Sequence, residues 1–265
     1  MSKQERWSRL LELLAADGRL AVEDAAASVA VSPATIRRDL DELAEQKLLV
    51  RTRGGAIAHG VSYELPLRYK SSRHVSEKQR IAGAVADLLG VGDVVGLNGG
   101  TTTTEVARAL VLRAGGAVER GEASSGPRCT VVTNALNIAS ELAVRPQFKI
   151  VLTGGVARPQ TYELVGPLCE GVLSQVVLDV AVLGVDGIDP EIGVMTHHED
   201  EAAVSRLLAE RARKVVLATD SSKMGRRAFA RICGLDRVDT LVTDSGLAPD
   251  VAELLTEAGI EVISV

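Results

Sequence analysis

Aromatic residues are nearly missing from this chain: one Trp, three Tyr and two Phe make up 2% of its 265 residues. A core built without them is aliphatic, packed from Val, Leu, Ile and Ala. Cysteine is equally sparse. Cys129, Cys169 and Cys233 form an odd set with no C-x-x-C pair and no His at ligand spacing, which argues against a disulfide framework or a metal site and for reduced thiols. No uncharged apolar run approaches the roughly 20 residues that a membrane-spanning helix needs. The opening segment MSKQERWSRLLELLAADG carries charges through its apolar positions and has no small-residue cleavage site, so it does not read as a signal peptide. A soluble, cytoplasmic protein with no membrane partner is expected.

An excess of positive charge is also lacking. The net charge is −5, which by itself speaks against a nucleic-acid partner. Its distribution matters more: residues 1–60 hold nine Lys or Arg and nine Asp or Glu, so the acidic excess lies entirely beyond them. A locally basic face is compatible with that balance. The length suggests two domains, one small and one large.

What is present begins with helical periodicity. Trp7, Leu10, Leu11 and Leu14 follow the spacing of an amphipathic helix that Asp17 and Gly18 end, and an Ala-rich helix is expected over 22–29. Ser32 and Pro33 then announce a third helix, Ser32 as its cap and Pro33 at its first position. Over 34–46, Ile36, Leu40 and Leu43 share one face, leaving Thr35, Arg38 and Glu42 on the other with Arg37 beside them. Two short helices and a capped third with Thr and paired Arg make a helix-turn-helix with a recognition helix. Arg bonds guanine or neutralises phosphate, and Thr reaches phosphate or a thymine methyl. Residues 48–58 read as a hairpin around a glycine turn, with Arg51 and Arg53 beside the DNA backbone.

The run VSPATIRRDLDELAEQKLLVRTRGGAIA resembles the N-terminal signature of the DeoR family of bacterial repressors. The resemblance implies a winged helix-turn-helix over 1–58, with Ser32, Thr35, Arg37 and Arg38 at or near double-stranded operator DNA. The family usually has His before the paired glycines, where this chain has Arg53.

Residues 59–75 show no sustained period and read as a linker. Ser76 and Gln79 have the spacing of a capping box, so the second domain is expected over 76–265. From Asp93 onward, short β-branched runs alternate with helical stretches, which predicts a Rossmann-like, mainly parallel α/β fold. Ligands in such sheets bind at the carboxyl ends of strands. Five of those ends are polar or glycine-rich. The first is Asn98-Gly99-Gly100-Thr101-Thr102-Thr103-Thr104, and Thr133-Asn134 and Thr153-Gly154-Gly155 follow. The last two are Gly184-Val185-Asp186-Gly187 and Thr219-Asp220-Ser221-Ser222-Lys223. Glycines and a helix N-terminus suit phosphate, Lys223 adds a cation, and Asp186 and Asn134 suit hydroxyls. The glycine loop is neither a Walker loop nor a dinucleotide fingerprint, and no cofactor is expected. His197 and His198 are adjacent and lack a third ligand, so no metal is expected either.

These motifs also match the sensor domain of the DeoR family, similar in fold to ribose-5-phosphate isomerase and glucosamine-6-phosphate deaminase. The resemblance implies phosphate near Gly100, Thr101, Thr102 and Thr103, with Asp186, Glu201 and Lys223 around the sugar of a phosphorylated effector. Asn98 stands where the family commonly has an acidic or hydroxyl residue, and residues 115–128 read as an inserted surface loop. The expected function is a repressor of carbohydrate genes, a homodimer or homotetramer reading a pseudopalindrome, released by a sugar phosphate. The alternative is a sugar-phosphate isomerase or deaminase carrying a DNA-binding domain.

Overall fold

The computed structural model describes every residue except Lys47, 58–66, 68–73 and 120–126. The chain divides into two compact units, Met1–Arg73 and His74–Val265.

The first unit opens with helix α1 (Lys3–Asp17), whose Ser2 and Glu5 form a reciprocal capping box and whose C-cap, Gly18, is left-handed. Strand β1 (Arg19–Ala21) leads to α2 (Val22–Val29), which ends at Ala30 with φ of 52°. That left-handed residue turns the chain tightly into α3 (Pro33–Glu45), and strands β2 (Val50–Thr52) and β3 (Gly55–Ile57) follow. β3 lies between β1 and β2, antiparallel to both. Trp7, Leu10, Leu11, Ile36, Leu40, Leu43, Leu48 and Leu49 fill the core of this unit.

The second unit begins with α4 (Val75–Leu88), one residue earlier than expected. Its N-cap is His74, with φ of 48° and no side-chain cap, and Ser76 lies inside the helix with its hydroxyl on Glu77 at 2.9 Å. The capping box expected from Ser76 and Gln79 is therefore not formed. The linker expected at 59–75 falls outside the described residues apart from Leu67, His74 and Val75.

Strand β4 (Val94–Leu97) runs into α5 (Thr101–Glu119), then β5 (Cys129–Thr133), α6 (Leu136–Ala143) and β6 (Phe148–Leu152) follow. Residues 115–119, expected as loop, continue α5 because Ala114 and Ala117 are buried on its inner face; 120–126 lie outside the described residues. A two-stranded ladder, β7 (Val156–Ala157) and β8 (Leu164–Val165), precedes α7 (Leu168–Leu173) and β9 (Leu178–Leu183). Then come β10 (Gly187–Asp189), β11 (Gly193–Thr196), α8 (Glu199–Arg211), β12 (Ala212–Ala218) and β13 (Ala230–Cys233). The chain closes with β14 (Thr240–Thr243), α9 (Pro249–Glu257) and β15 (Glu261–Ser264).

Seven strands form one parallel sheet in the order β15-β14-β12-β9-β4-β5-β6. Two aliphatic clusters pack on it, one including Ile81, Val106 and Ile138, the other Leu173, Leu208 and Leu255, as a parallel sheet covered on both faces requires. The small antiparallel sheet β10-β11-β13 was not foreseen from the sequence. Among the described residues, no helix is long and apolar enough to cross a membrane.

Candidate functional site

In the first unit, Ser32 Oγ accepts from Thr35 N at 3.2 Å and lies 2.9 Å from Thr35 Oγ1, which seats Thr35 at the start of α3. Arg37 and Arg38 are exposed, while Ile36, Leu40 and Leu43 are fully buried beneath them. The neighbouring acids are engaged elsewhere. Asp39 is buried and accepts from Arg6 Nε at 2.5 Å, Arg6 Nη2 at 3.0 Å and Trp7 Nε1 at 2.9 Å. Asp41 accepts from Arg51 Nε at 2.6 Å, and Glu42 from Lys3 Nζ at 2.5 Å. Arg37 meets Glu23 of α2 at 3.3 Å, both side chains being exposed, so that pair contributes little. Among the described residues neither Arg38 nor Arg53 has an acidic partner, and both are exposed.

Arg51 and Glu42 are engaged within the first unit. Arg51 donates to Asp41 and to the Gly55 carbonyl, so it ties the β2–β3 hairpin to α3. Glu42, on the solvent face of α3, also links that helix to α1 through Lys3.

In the second unit the five polar strand ends belong to β6, β5, β4, β9 and β12, five consecutive strands of the parallel sheet, so they share one edge. Gly100 O accepts from Thr104 N at 3.1 Å, placing Gly100 just outside α5 and leaving the amides of Thr101, Thr102 and Thr103 without intrahelical acceptors. The hydroxyls of Thr103 and Thr104 turn back to Gly100 O at 3.3 and 2.6 Å. What this loop offers an anion is its backbone, with the positive end of a 19-residue helix behind it.

Asn98 is buried and fully engaged with protein. Its amide nitrogen donates to Gly184 O at 2.9 Å and Ser205 Oγ at 3.1 Å, and its oxygen accepts from Gly184 N at 2.8 Å. It clamps the end of β4 to the end of β9. Asn134, with no exposed surface, donates to Glu163 Oε2 at 2.8 Å and to Leu164 O at 3.1 Å. Gly154 and Gly155 follow β6, and the space where a side chain of Gly155 would stand is filled by Cys169 Sγ and the Val165 backbone. Asp186 accepts from Thr196 Oγ1 at 3.0 Å and His197 N at 3.3 Å. Glu201, at the start of α8, is buried and accepts from Arg158 Nε at 2.8 Å and Thr161 Oγ1 at 2.7 Å. Lys223 is half-buried in a single 3-10 turn, Ser221–Lys223, whose Ser222 amide is capped by Asp220 at 3.2 Å.

Sequence reasoning overlooked Arg158, Thr161, Glu163, Ser205 and Asp244. All sit in loops or on helix faces without periodic signal, and their partners are distant in sequence: 43 residues separate Arg158 from Glu201 and 107 separate Asn98 from Ser205. Among the described residues no group of three His, Cys, Asp or Glu is placed to hold a metal ion.

Known proteins match this chain along nearly its whole length. The Haloferax volcanii HTH-type transcriptional regulator GlpR is 37% identical over 99% of this chain and 98% of its own length. The Escherichia coli K12 glycerol-3-phosphate regulon repressor is 33% identical over 98% of both chains. The putative aga operon transcriptional repressor of Escherichia coli O157:H7 is 35% identical over 98% of this chain and 93% of its own. Among solved structures, a ribose 5-phosphate isomerase from Plasmodium falciparum aligns with a TM-score of 0.39 at 14% identity, covering 56% of this chain and 52% of its own. The DeoR-like helix-turn-helix domain matches residues 6–60, the segment of the exposed arginines, and the DeoR C terminal sensor domain matches 73–245, the segment of the polar strand ends; the chain belongs to the DeoR family of transcriptional regulators.

Proposed function

We propose that this chain represses carbohydrate-metabolism genes by binding operator DNA through α3 and its adjoining hairpin, and that a phosphorylated sugar held at the strand-end rim releases it. On the DNA side, the exposed Arg38, with Thr35 at the helix start, reads base edges or phosphate, and Ser32, Arg37 and Arg53 meet the backbone. Arg51 acts as the brace that presents the hairpin. Two recognition helices are needed for a pseudopalindrome, so the functional unit is a homodimer or homotetramer working in the cytoplasm.

On the effector side, the single observation that carries the reading is the free amide set of Thr101, Thr102 and Thr103 on the edge shared with Lys223 and Asp186. The phosphate sits on those amides with Lys223 as counter-charge, and Asp186 and Asn134 face the hydroxyls. Asn98, Gly154 and Gly155 shape the rim rather than touch the ligand, and Glu201 is held by Arg158. A carboxylate so engaged suits a structural task better than proton abstraction, which supports a binding protein over an isomerase. Effector release follows if the ligand favours the arrangement that does not fit the operator, by no more than its differential affinity for the two.

The test is a thermal-shift screen of phosphorylated sugars and polyols followed by operator binding with and without each hit. A ligand that stabilises the protein and weakens operator binding supports the reading. Steady turnover of a sugar phosphate by the purified chain, with operator binding indifferent to every ligand, overturns it.

A further inference from the structure

Phe229 stands 77% exposed in the loop between the Ser221–Lys223 turn and β13, in a chain that has only two Phe. The loop is held on both sides of it. Gly225, at φ of 68°, donates its amide to Ile188 O at 2.9 Å, and Arg227 Nε donates to Asp189 Oδ2 at 2.6 Å, where the carboxylate is almost fully buried. Asp189 is fixed in turn by the amides of Glu191 and Ile192, at 2.9 and 3.1 Å. Directly after Phe229 the chain enters β13, where Ala230 pairs with Thr196. A large apolar side chain is thus kept in water by a pinned backbone. Arg226 and Arg231 flank it, both exposed and neither in an ion pair among the described residues.

The complementary pattern lies on α9. Asp250, Glu253, Leu254 and Glu257 follow the i, i+3, i+4, i+7 spacing of one helix face, and all four are exposed, Leu254 at 43%. None of the three carboxylates is in an ion pair among the described residues. Glu253 and Glu257 are like charges one turn apart, and Glu257 also sits at the negative end of the helix, so the stripe is unfavourable until cations cover it. An aliphatic centre among carboxylates matches an aromatic centre flanked by guanidinium groups. The exposure of Phe229 and Leu254 shows that the two patches do not meet within one chain.

We propose that the Phe229 loop of one chain docks on the α9 stripe of a second copy, Phe229 against Leu254, with Arg226 and Arg231 against the carboxylates. This rests on the oligomeric functional unit proposed above and locates one of its contacts. Aromatic and Arg side chains anchor protein interfaces, and opposed charges around such an anchor set partner and register. The two patches differ, so a twofold dimer makes the contact twice, and any other closed arrangement makes it head to tail. Arg227 stays with Asp189 and braces the loop.

Sedimentation of the full chain over about a hundredfold range of concentration tests this. The wild-type chain is expected to self-associate, more weakly at high salt. Phe229→Glu and Leu254→Lys, both at exposed positions, each raise the dissociation constant of that association about tenfold or more, with circular dichroism unchanged. The double variant Phe229→Glu/Leu254→Lys recovers most of the loss, because the introduced charges face each other across the contact. Single variants that assemble as the wild type does overturn the proposal, and so does a double variant no better than the singles. A Phe229→Glu chain that keeps its assembly but loses operator affinity assigns the loop to DNA instead. A wild-type chain that is monomeric throughout overturns the oligomeric unit itself, and this contact with it.

Discussion

Asp244, at the end of β14, accepts from both the amide and the hydroxyl of Ser221, at 2.7 and 2.9 Å, and so holds the turn that carries Lys223 against the sheet. A further bond from Gly246 N at 2.9 Å completes the arrangement. Burial pushes the Asp244 carboxyl up, and the donors from Ser221 and Gly246 outweigh it, leaving the group below the ordinary 3.8. A carboxyl lowered on folding stabilises the protein above its unfolded value, and that contribution fades as pH falls through the folded value. Asp244→Asn replaces one acceptor with a donor facing Ser221 N, at a cost of about 1–3 kcal/mol. Denaturant titrations are expected to show a constant difference between the two chains above roughly pH 5 that shrinks below pH 4. Operator affinity stays the same, and effector release weakens because Lys223 loses its fixed position. A difference that grows on acidification rules out a carboxyl lowered by these donors.

Asp39 ties α3 to α1 through Arg6 and Trp7, an ion pair whose side chains are 3% and 14% exposed on the Asp and Arg sides. Removing one partner of so buried a pair leaves the other charge uncompensated, worth about 3–5 kcal/mol where burial is complete. A domain this small has little stability in reserve. Asp39→Ala is therefore expected to unfold the first unit under conditions where the second stays folded. Trp7 is the only tryptophan of the chain, so its fluorescence reports that transition directly. An unshifted Trp7 transition in the variant rules out the anchoring role.

Sequence made α2, α3 and the parallel strands readable because each carries a local signal: Ser32-Pro33 before α3, the buried stripe of Ile36, Leu40 and Leu43, and β-branched runs bounded by glycine or Asn. Strand order was not readable. That β4 lies between β9 and β5, bringing five polar ends to one edge, depends on crossovers that leave no mark in the chain. Side-chain engagement was hidden for the same reason. Asn98 looks like a ligand-facing residue until Gly184, 86 residues later, takes both polar atoms of its amide, and nothing local to α3 shows that Asp39 pairs with Arg6 and Asp41 with Arg51. The false capping box at Ser76 shows the converse, a local pattern with the right spacing one residue inside a helix that starts without it.

Burial sets the chemistry of the three thiols. Cys129 is pushed up to about 12, first by desolvation and then by the charge of Asp93, and desolvation also raises Cys169 and Cys233. The thiolate is the nucleophile that attacks a thiol reagent, so a raised pKa slows the reaction. The native chain is thus expected to react slowly with an aromatic disulfide reagent at pH 8, and to yield three equivalents once denatured. A fast native equivalent marks a thiol more accessible than this.

Arg38 and Arg51 separate contact from scaffolding within the DNA-binding unit. Both are basic and both lie on the α3–hairpin side, yet Arg38 is exposed without an acidic partner among the described residues, whereas Arg51 bonds Asp41 and the Gly55 carbonyl. Arg38→Ala is expected to weaken operator binding by about 1–3 kcal/mol if it reads a base, with loss of preference at one position of each half-site. If it meets phosphate, the loss is uniform across sequences and the salt slope falls by about 1. The thermal midpoint stays where it was in either case. Arg51→Ala instead lowers the stability of the first unit, and its affinity loss recovers on cooling or in a stabilising osmolyte, because the missing interaction is within the protein. Competition binding across salt concentrations, run beside Trp7-detected unfolding, distinguishes the two. A stable Arg51→Ala chain with a reduced salt slope assigns Arg51 to the DNA after all, and an Arg38→Ala chain with unchanged affinity removes Arg38 from it.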